Sequence, residues 1–292
     1  MASSREMRMR IKSVKDLSQV TRALKTVSAS KVRKAMASNA ASLPYSEKAW
    51  QVLTDLAMQP GHTRLHPLLS ERKNVDRILV IMVSGDKGLA GSYNINILKH
   101  TIEYFDRFSK PIHYVCIGKR GRDLLLRRKE KVIAEFSELN DPVNFMDVSP
   151  IARLIVDDFL ANEYDQVYIS YTRFESMTKQ IPTINKLLPL ETDNRQQDRK
   201  SKSIASVFLY EPAQEEILDE IIPRFTAMQI FQAVLSAQAS EHAARTIAMS
   251  NATDNANELV GILTLEYNKV RQQSITNDIL DIIGGAAAHE IQ

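Results

Sequence analysis

Arg77-Ile-Leu-Val-Ile-Met-Val-Ser84, followed at once by Gly85-Asp-Lys-Gly-Leu-Ala-Gly91, decides the middle of the chain. An apolar run without alternation predicts a strand covered on both faces, as in a parallel sheet. The glycines behind it predict a tight turn into a helix from about Tyr93 to Phe108. Pro111-Ile-His-Tyr-Val-Cys-Ile-Gly118 repeats the strand pattern, residues 119–129 read as a helix, and Val132–Phe136 as a short strand. Ser149-Pro150 predicts a helix start, because proline is tolerated in the first turn, and this helix runs to about Asn162. Gln166–Phe174 is the next strand. Residues 180–190 and Val207–Tyr210 read as further strands on either side of a polar loop, Glu191–Lys202. Alternating β and α elements predict a mostly parallel sheet, and hence a Rossmann-like α/β domain over residues 75–212.

Outward from this middle, helix breakers thin out. Only 9 glycines occur in 292 residues; none lies between Met1 and Pro60, and only Gly261 interrupts Pro212 to Ile283. Nine of the ten prolines lie between Pro44 and Pro212, and the tenth is Pro223. Two helical arms are therefore predicted, residues 1–60 and 213–292. In the first, Ile11, Val14, Val20 or Thr21, Leu24, Val27 and Lys31 follow spacings of three and four, a narrow seam with many Ala, Ser and Thr around it. Pro44 is expected to kink or interrupt it. In the second, Ile230, Val234, Ala237, Ala244, Ala248, Leu259, Ile262, Val270, Ile279 and Ile282 recur, and Gly284-Gly285 supplies a stop. A helix of about 60 residues would be roughly 90 Å long, far beyond a compact globule of this size, so it is expected to project as a shaft. Charge divides the same way: residues 1–36 hold ten Lys/Arg against two Asp/Glu, and residues 213–292 hold four against eleven. Pairing of the arms follows, though exposed ion pairs are worth only ~0–1 kcal/mol each.

The residue inventory excludes much chemistry. One cysteine, Cys116, leaves no internal disulfide and no multi-cysteine zinc site, and points to a reducing compartment. No apolar run approaches the ~20 residues of a membrane span, and Met1–Arg10 lacks the apolar core of a secretory signal. The glycines at 85, 88 and 91 do not make G-x-G-x-x-G, nor does the loop end in Gly-Lys-Ser/Thr, so a nucleotide loop is not predicted. His62 and His66 sit between Pro60 and Pro67, which disfavours a helix that would pair them on a metal; His100, His113, His242 and His289 have no ligand cluster at metal spacing. Asp157-Asp158 point in different directions on a helix and read as solvated. No G-x-S-x-G elbow occurs. The basic first arm lacks the interleaved aromatics of a nucleic-acid surface and faces an acidic arm of nearly equal charge. No catalytic residue, cofactor or metal site is expected. On residues alone, a coiled-coil scaffold or nucleic-acid-binding rod with an α/β head stays open, and a nicotinamide-dependent enzyme is a third class.

Five stretches together resemble the gamma subunit of rotary, proton-translocating ATP synthases. They are Arg10-Ile-Lys-Ser-Val-Lys15, Val20-Thr-Arg-Ala-Leu-Lys-Thr-Val-Ser-Ala-Ser-Lys-Val-Arg-Lys34, Ser84-Gly-Asp-Lys-Gly-Leu-Ala-Gly-Ser-Tyr-Asn94, Ala243-Ala-Arg-Thr-Ile-Ala-Met-Ser-Asn-Ala-Thr-Asp-Asn255, and Tyr267-Asn-Lys-Val-Arg-Gln-Gln-Ser-Ile-Thr276 with Gly284-Gly-Ala-Ala-Ala288. The resemblance covers nearly the whole chain in the right order. It implies a long antiparallel coiled coil of the terminal helices with the α/β domain inserted, acting as the central rotor shaft. In that family the shaft enters a ring of alpha and beta subunits, the α/β domain lies near the epsilon subunit and the c-subunit ring, and turning of the c ring drives ATP synthesis on beta. The implied part is a non-catalytic, peripheral one at the cytoplasmic face of a bacterial cell membrane, with no nucleic acid and no cofactor. Residue by residue, the resemblance carries a beta-contact, or catch, onto Arg271 and Gln272, with Thr276 one turn on. Leu24 stands where the family usually has Met, near the same contact zone. Ala90 replaces the family's Cys, and the two-cysteine regulatory insert of chloroplast forms is absent, as in a bacterial enzyme without thiol switching. The tail His289-Glu-Ile-Gln292 extends past the usual end.

Overall fold

The computed structural model describes residues 4–57, 67–70, 72, 74–108, 110–190 and 214–290. The expected strand Val207–Tyr210, the loop Glu191–Lys202 and the pair His62/His66 lie outside the described residues. Ten elements follow in order: α1 (Ser4–Ala57), β1 (Ile78–Val83), α2 (Tyr93–Phe105), β2 (Ile112–Ile117), α3 (Lys119–Arg127), β3 (Lys131–Phe136), α4 (Phe145–Leu160), β4 (Gln166–Phe174), β5 (Gln180–Leu188) and α5 (Gln214–Glu290). They divide into two compact units, one of residues 1–28 with 246–292 and one of residues 29–245.

The larger unit holds a five-stranded sheet in the order β3-β2-β1-β4-β5. Its first four strands run parallel, and β5 pairs antiparallel with β4. Every residue of β1 is buried because both faces are covered. Leu79, Ile81 and Val83 point to a core built with Ile151, Ile155 and Phe159 of α4 and Ile222, Ile230 and Val234 of α5. Ile78, Val80 and Met82 point the other way, against Leu98, Ile102 and Phe105 of α2 and Leu125 of α3. Burying each side chain of this size stabilises the fold by about 1.5–3 kcal/mol. A stretch of the last helix thus completes the core of the sheet.

Three expectations are corrected. Helix α4 begins at Phe145, not at Ser149: the Asp147 carboxylate accepts the Asn144 backbone N–H at 2.9 Å and the Asn140 amide at 2.9 Å. This start lies upstream of Pro150, which costs the helix a single backbone donor. Pro44 does not end α1, and α5 runs through Gly284 and Gly285 to Glu290. A proline costs about 3 kcal/mol and a glycine about 1 kcal/mol in a helix interior, and the helices of 54 and 77 residues continue through them.

In the smaller unit α1 and α5 pair antiparallel. Arg8 lies over the Tyr267 ring at 5.9 Å, Ser18 Oγ donates to Asn257 Oδ1 at 2.7 Å, the Thr21 and Thr253 hydroxyls meet at 2.7 Å, and Lys25 Nζ donates to Ser250 Oγ at 3.0 Å. Within this unit the buried positions on α1 are Met7, Ser18, Thr21 and Ser28. Of the alternatives Val20 and Thr21 the buried one is Thr21, with Val20 56% exposed, and Val27, expected in the seam, is 53% exposed. Leu259, Ile262, Ile279 and Ile282 on α5 are likewise exposed, and the buried positions of α5 within this unit are Thr246, Met249, Thr253 and Ala256. The seam is built of small and hydroxyl-bearing residues, which lets the helices approach closely enough to exchange side-chain hydrogen bonds.

Candidate functional site

In a parallel α/β sheet, ligands are taken at the carboxyl ends of the strands. Here that edge follows β1, where the loop Gly85–Gly91 leads into α2. The chain's own groups take its donors and acceptors, beside a cavity of about 430 Å³ lined by Asp86, Lys119, Glu138, Gln238, Glu241 and Arg245. Asp86 Oδ1 accepts the Lys119 backbone N–H at the start of α3, and Asp86 Oδ2 accepts the Glu138 N–H, each at 2.9 Å. A carboxylate of the protein thus takes the helix N-terminus that a phosphate would need. Gly118, just before α3, has φ 104°, and a Cβ there would lie 2.3 Å from the Ser84 carbonyl oxygen. Only glycine allows this close turn.

Helix α5 lies over the same edge. Tyr93 Oη donates to the Ala237 carbonyl at 3.1 Å, and the Phe174 N–H donates to Ser236 Oγ at 2.9 Å. Ser240 Oγ donates to the Thr172 carbonyl at 3.0 Å. Gln238 accepts the Val143 N–H and donates to the Asn140 carbonyl, at 3.0 and 2.9 Å. Glu241 comes so close to Gly85 that a Cβ there would meet its carboxylate at 2.7 Å. Where a nucleotide would bind, the protein binds its own helix. No local sequence signal marks these contacts, since the partners are far apart in the chain and individually ordinary in type.

A polar cluster continues the contact. Asp141 accepts from His242 Nε2 at 2.9 Å and from Lys31 Nζ of α1 at 2.7 Å. Arg245 donates to His242 Nδ1 at 3.1 Å, to the Gly88 carbonyl at 3.3 Å, and to Glu241. Burial pushes the Asp141 carboxyl up, but the hydrogen bonds from His242 and Lys31 outweigh it and hold its pKa at about 2. A second buried group is inert: burial raises the Cys116 thiol to about 12, which removes it from nucleophilic chemistry. His113 is drawn down by burial and by Lys131 and Arg77, and its Nδ1 meets Tyr164 Oη at 2.9 Å. Asp158 is raised by burial and by Glu163 and Asp157. Among the described residues no group of three or more His, Cys, Asp or Glu could hold a metal, and no helix is long and apolar enough to cross a membrane.

The residues singled out by resemblance lie elsewhere, in the smaller unit. Arg271, Gln272 and Thr276 are exposed on α5, and Thr276 Oγ1 donates to the Gln272 backbone carbonyl at 2.9 Å. Leu24 is half-buried beside the Lys25–Ser250 hydrogen bond. The antiparallel register therefore separates it from Arg271 by about twenty residues of helix, roughly 30 Å, and does not bring it to the other three. The same register brings Ser4, the first described residue of α1, level with Arg271. Every described side chain from Arg271 to Ile283 is exposed, including Ile275 at 49% and Ile282 at 72%.

A family model described as ATP synthase matches residues 3–288. The chain is 41% identical over 289 residues to the ATP synthase gamma chain of Dehalococcoides mccartyi (strain CBDB1), covering 99% of each chain. It is 42% identical over 291 residues to that of Roseiflexus sp. (strain RS-1), again covering 99% of each. The chain belongs to the ATP synthase gamma chain family. Its fold is similar to that of a chain in the Euglena gracilis mitochondrial ATP synthase (OSCP/F1/c-ring, rotational state 3), with a TM-score of 0.66 at 20% identity, covering 98% of this chain and 94% of that one. A chain of the Tetrahymena thermophila mitochondrial ATP synthase central stalk and c-ring gives 0.64 at 21% identity, covering 80% and 99%. The gamma-chain fold so established is the long terminal helices and inserted α/β sheet described above.

Proposed function

We propose that this gamma-family chain is the central shaft of a rotary ATP synthase. The helices α1 and α5 enter a ring of alternating alpha and beta subunits; the α/β part meets the epsilon subunit and the c-subunit ring. Proton-driven turning of that ring is passed along the helices to beta, where ATP is made. The chain holds no catalytic site of its own and works peripherally at the cytoplasmic face of a bacterial cell membrane. Its working parts are residues 1–60, 75–212 and 213–292: one helix, the sheet-bearing part and the other helix.

The observation that supports this reading is the end of α5. Past Arg271 a helix without a described α1 neighbour exposes Ile275, Ile279, Leu280, Ile282 and Ile283. Such a stripe on a lone helix needs a surrounding protein to cover it. Arg271 and Gln272 stand at its base, and a guanidinium there can hold a carboxylate of beta through two charge-assisted hydrogen bonds. Thr276 is assigned to the same contact with beta, and Leu24, roughly 30 Å along the pair, to a separate contact with beta.

Two measurements test this. The chain, expressed with its neighbours, should co-purify with alpha, beta and epsilon subunits. Arg271→Ala with Gln272→Ala should leave assembly intact and slow both multisite ATP hydrolysis and proton-driven synthesis, about tenfold for each 1.4 kcal/mol by which the barrier of the coupled step rises. Purification without those subunits would defeat the shaft reading; parental turnover of the double variant in both directions would defeat the assignment of the catch.

A further inference from the structure

Asp141 is bonded to both long helices at once. It projects from the segment between β3 and α4, accepts from Lys31 of α1 at 2.7 Å on one side, and from His242 of α5 at 2.9 Å on the other. The α5 side is braced further. Arg245 donates to His242 Nδ1 and to the Gly88 carbonyl, and Gln238, four residues before His242, donates to the Asn140 carbonyl beside Asp141. Because Nδ1 accepts from a guanidinium, which can only donate, Nε2 is the nitrogen that donates to Asp141. The pair His242–Asp141 is therefore oriented, with the imidazole fixed between a donor and an acceptor.

We propose that Asp141 is a positioning residue of the rotor, a pin through which the sheet-bearing unit grips α1 and α5 together. This rests on the shaft reading above. A shaft of two helices transmits turning force evenly only when both are held at its driven end; a grip on α5 alone would let α1 lag. The hydrogen bonds at the strand ends, donated by Tyr93, Ser240 and Gln238 and accepted by Ser236, all hold α5. Asp141 adds α1 to that grip through Lys31. The Lys31 end of this contact is exposed and the His242 end is buried; one acceptor shared between them keeps each helix in register with the other.

The test uses the assembled complex with its ring fixed and a probe on the sheet-bearing unit, followed by single-molecule rotation. Thermal fluctuation of the probe angle reports torsional stiffness. Helix α1 is also held by its buried Val32 and Ala35 and by the Ser46–Gln232 hydrogen bond, so losing the pin weakens its grip, and Asp141→Asn should raise the angular variance by up to about twofold, the limit in which one of two parallel grips is lost. Arg122→Gln is the control. It breaks the Arg122–Glu135 pair at 2.5 Å, which has similar exposure, lies in the same unit and touches neither long helix. The control should lower the melting temperature comparably and leave the variance at the parental value. Lys31→Gln, which removes only the α1 arm, should reproduce the Asp141→Asn variance and serves as the decisive variant should Asp141→Asn fail to assemble. Parental variance in Asp141→Asn or, in its place, Lys31→Gln, or an equal rise in Arg122→Gln, overturns the pin. A parental complex whose probe does not rotate during ATP hydrolysis instead overturns the shaft reading itself.

Discussion

At the scale of single residues, the strand-end turn is governed by Gly118. Its φ of 104° and the 2.3 Å approach of a hypothetical Cβ to the Ser84 carbonyl leave no room for a side chain. Gly118→Ala should therefore cost about 2–4 kcal/mol, as a strained backbone combined with a clash in a packed place; urea denaturation of the parent and variant measures it. Asp141 gives a prediction in pH. Its pKa of about 2 lies below the unfolded carboxylate value of about 3.9. The folded state thus binds this proton less readily, so the contribution is present above about pH 4 and lost as pH falls through about 2. Because the group is half-exposed, its worth is about 1 kcal/mol rather than the full linkage value. The stability gap between the parent and Asp141→Asn should be open near neutrality and close on acidification through that window. A gap that persists unchanged at the acid end would mean the carboxylate is not held by Lys31 and His242.

At the scale of elements, the pairing of α1 with α5 yields a cross-link. The hydroxyls of Thr21 and Thr253 are 2.7 Å apart, so cysteines at both positions, in a Cys116→Ser background, should oxidise to a disulfide within one chain. Bonds formed only between chains would contradict the antiparallel pairing. The elements also show what a sequence discloses and what it conceals. The strand Ile78–Val83 is legible because a helix layer on each face demands apolar side chains at every position. The seam of α1 is only partly legible. Ile11 and Val14 lie on it, but Val20 and Val27 do not, because hydroxyls that find partners on α5 displace the larger apolar neighbours from the interface. The start of α4 is easily misplaced, since Pro150 is a conspicuous signal, whereas Asn144 and Asp147 act only through a local hydrogen bond. The exposed position of Arg271 and Gln272 is singled out by resemblance alone; an arginine followed by glutamine on a helix carries no distinguishing mark. Glu241 beside Gly85 is hidden from the sequence altogether, because an approach of distant segments leaves no trace in local pattern.

At the scale of the whole molecule, the division into a middle domain and two arms is incomplete as a physical description. The core beneath β1 contains Ile222, Phe225, Ile230 and Val234 from α5 alongside Ile151 and Phe159 from α4. A fragment of residues 75–212 lacks the first group and would leave Leu79, Ile81 and Val83 facing an unfinished layer. It should show no cooperative thermal transition, whereas the full chain should; a sharp transition for the fragment would mean that the sheet closes without α5. Nucleotide titrations belong on the full chain for the same reason, with no binding expected at a strand edge taken up by Asp86 and α5. The completion of that core by the last helix also has a consequence for biogenesis. Synthesis runs from the amino end, so α1, four parallel strands and β5 all leave the ribosome before the residues that seal them. The part of that face which α5 covers beside α4 waits open until translation has passed Val234, and the nascent chain must be sheltered over that interval or risk being lost to aggregation before the final helix arrives.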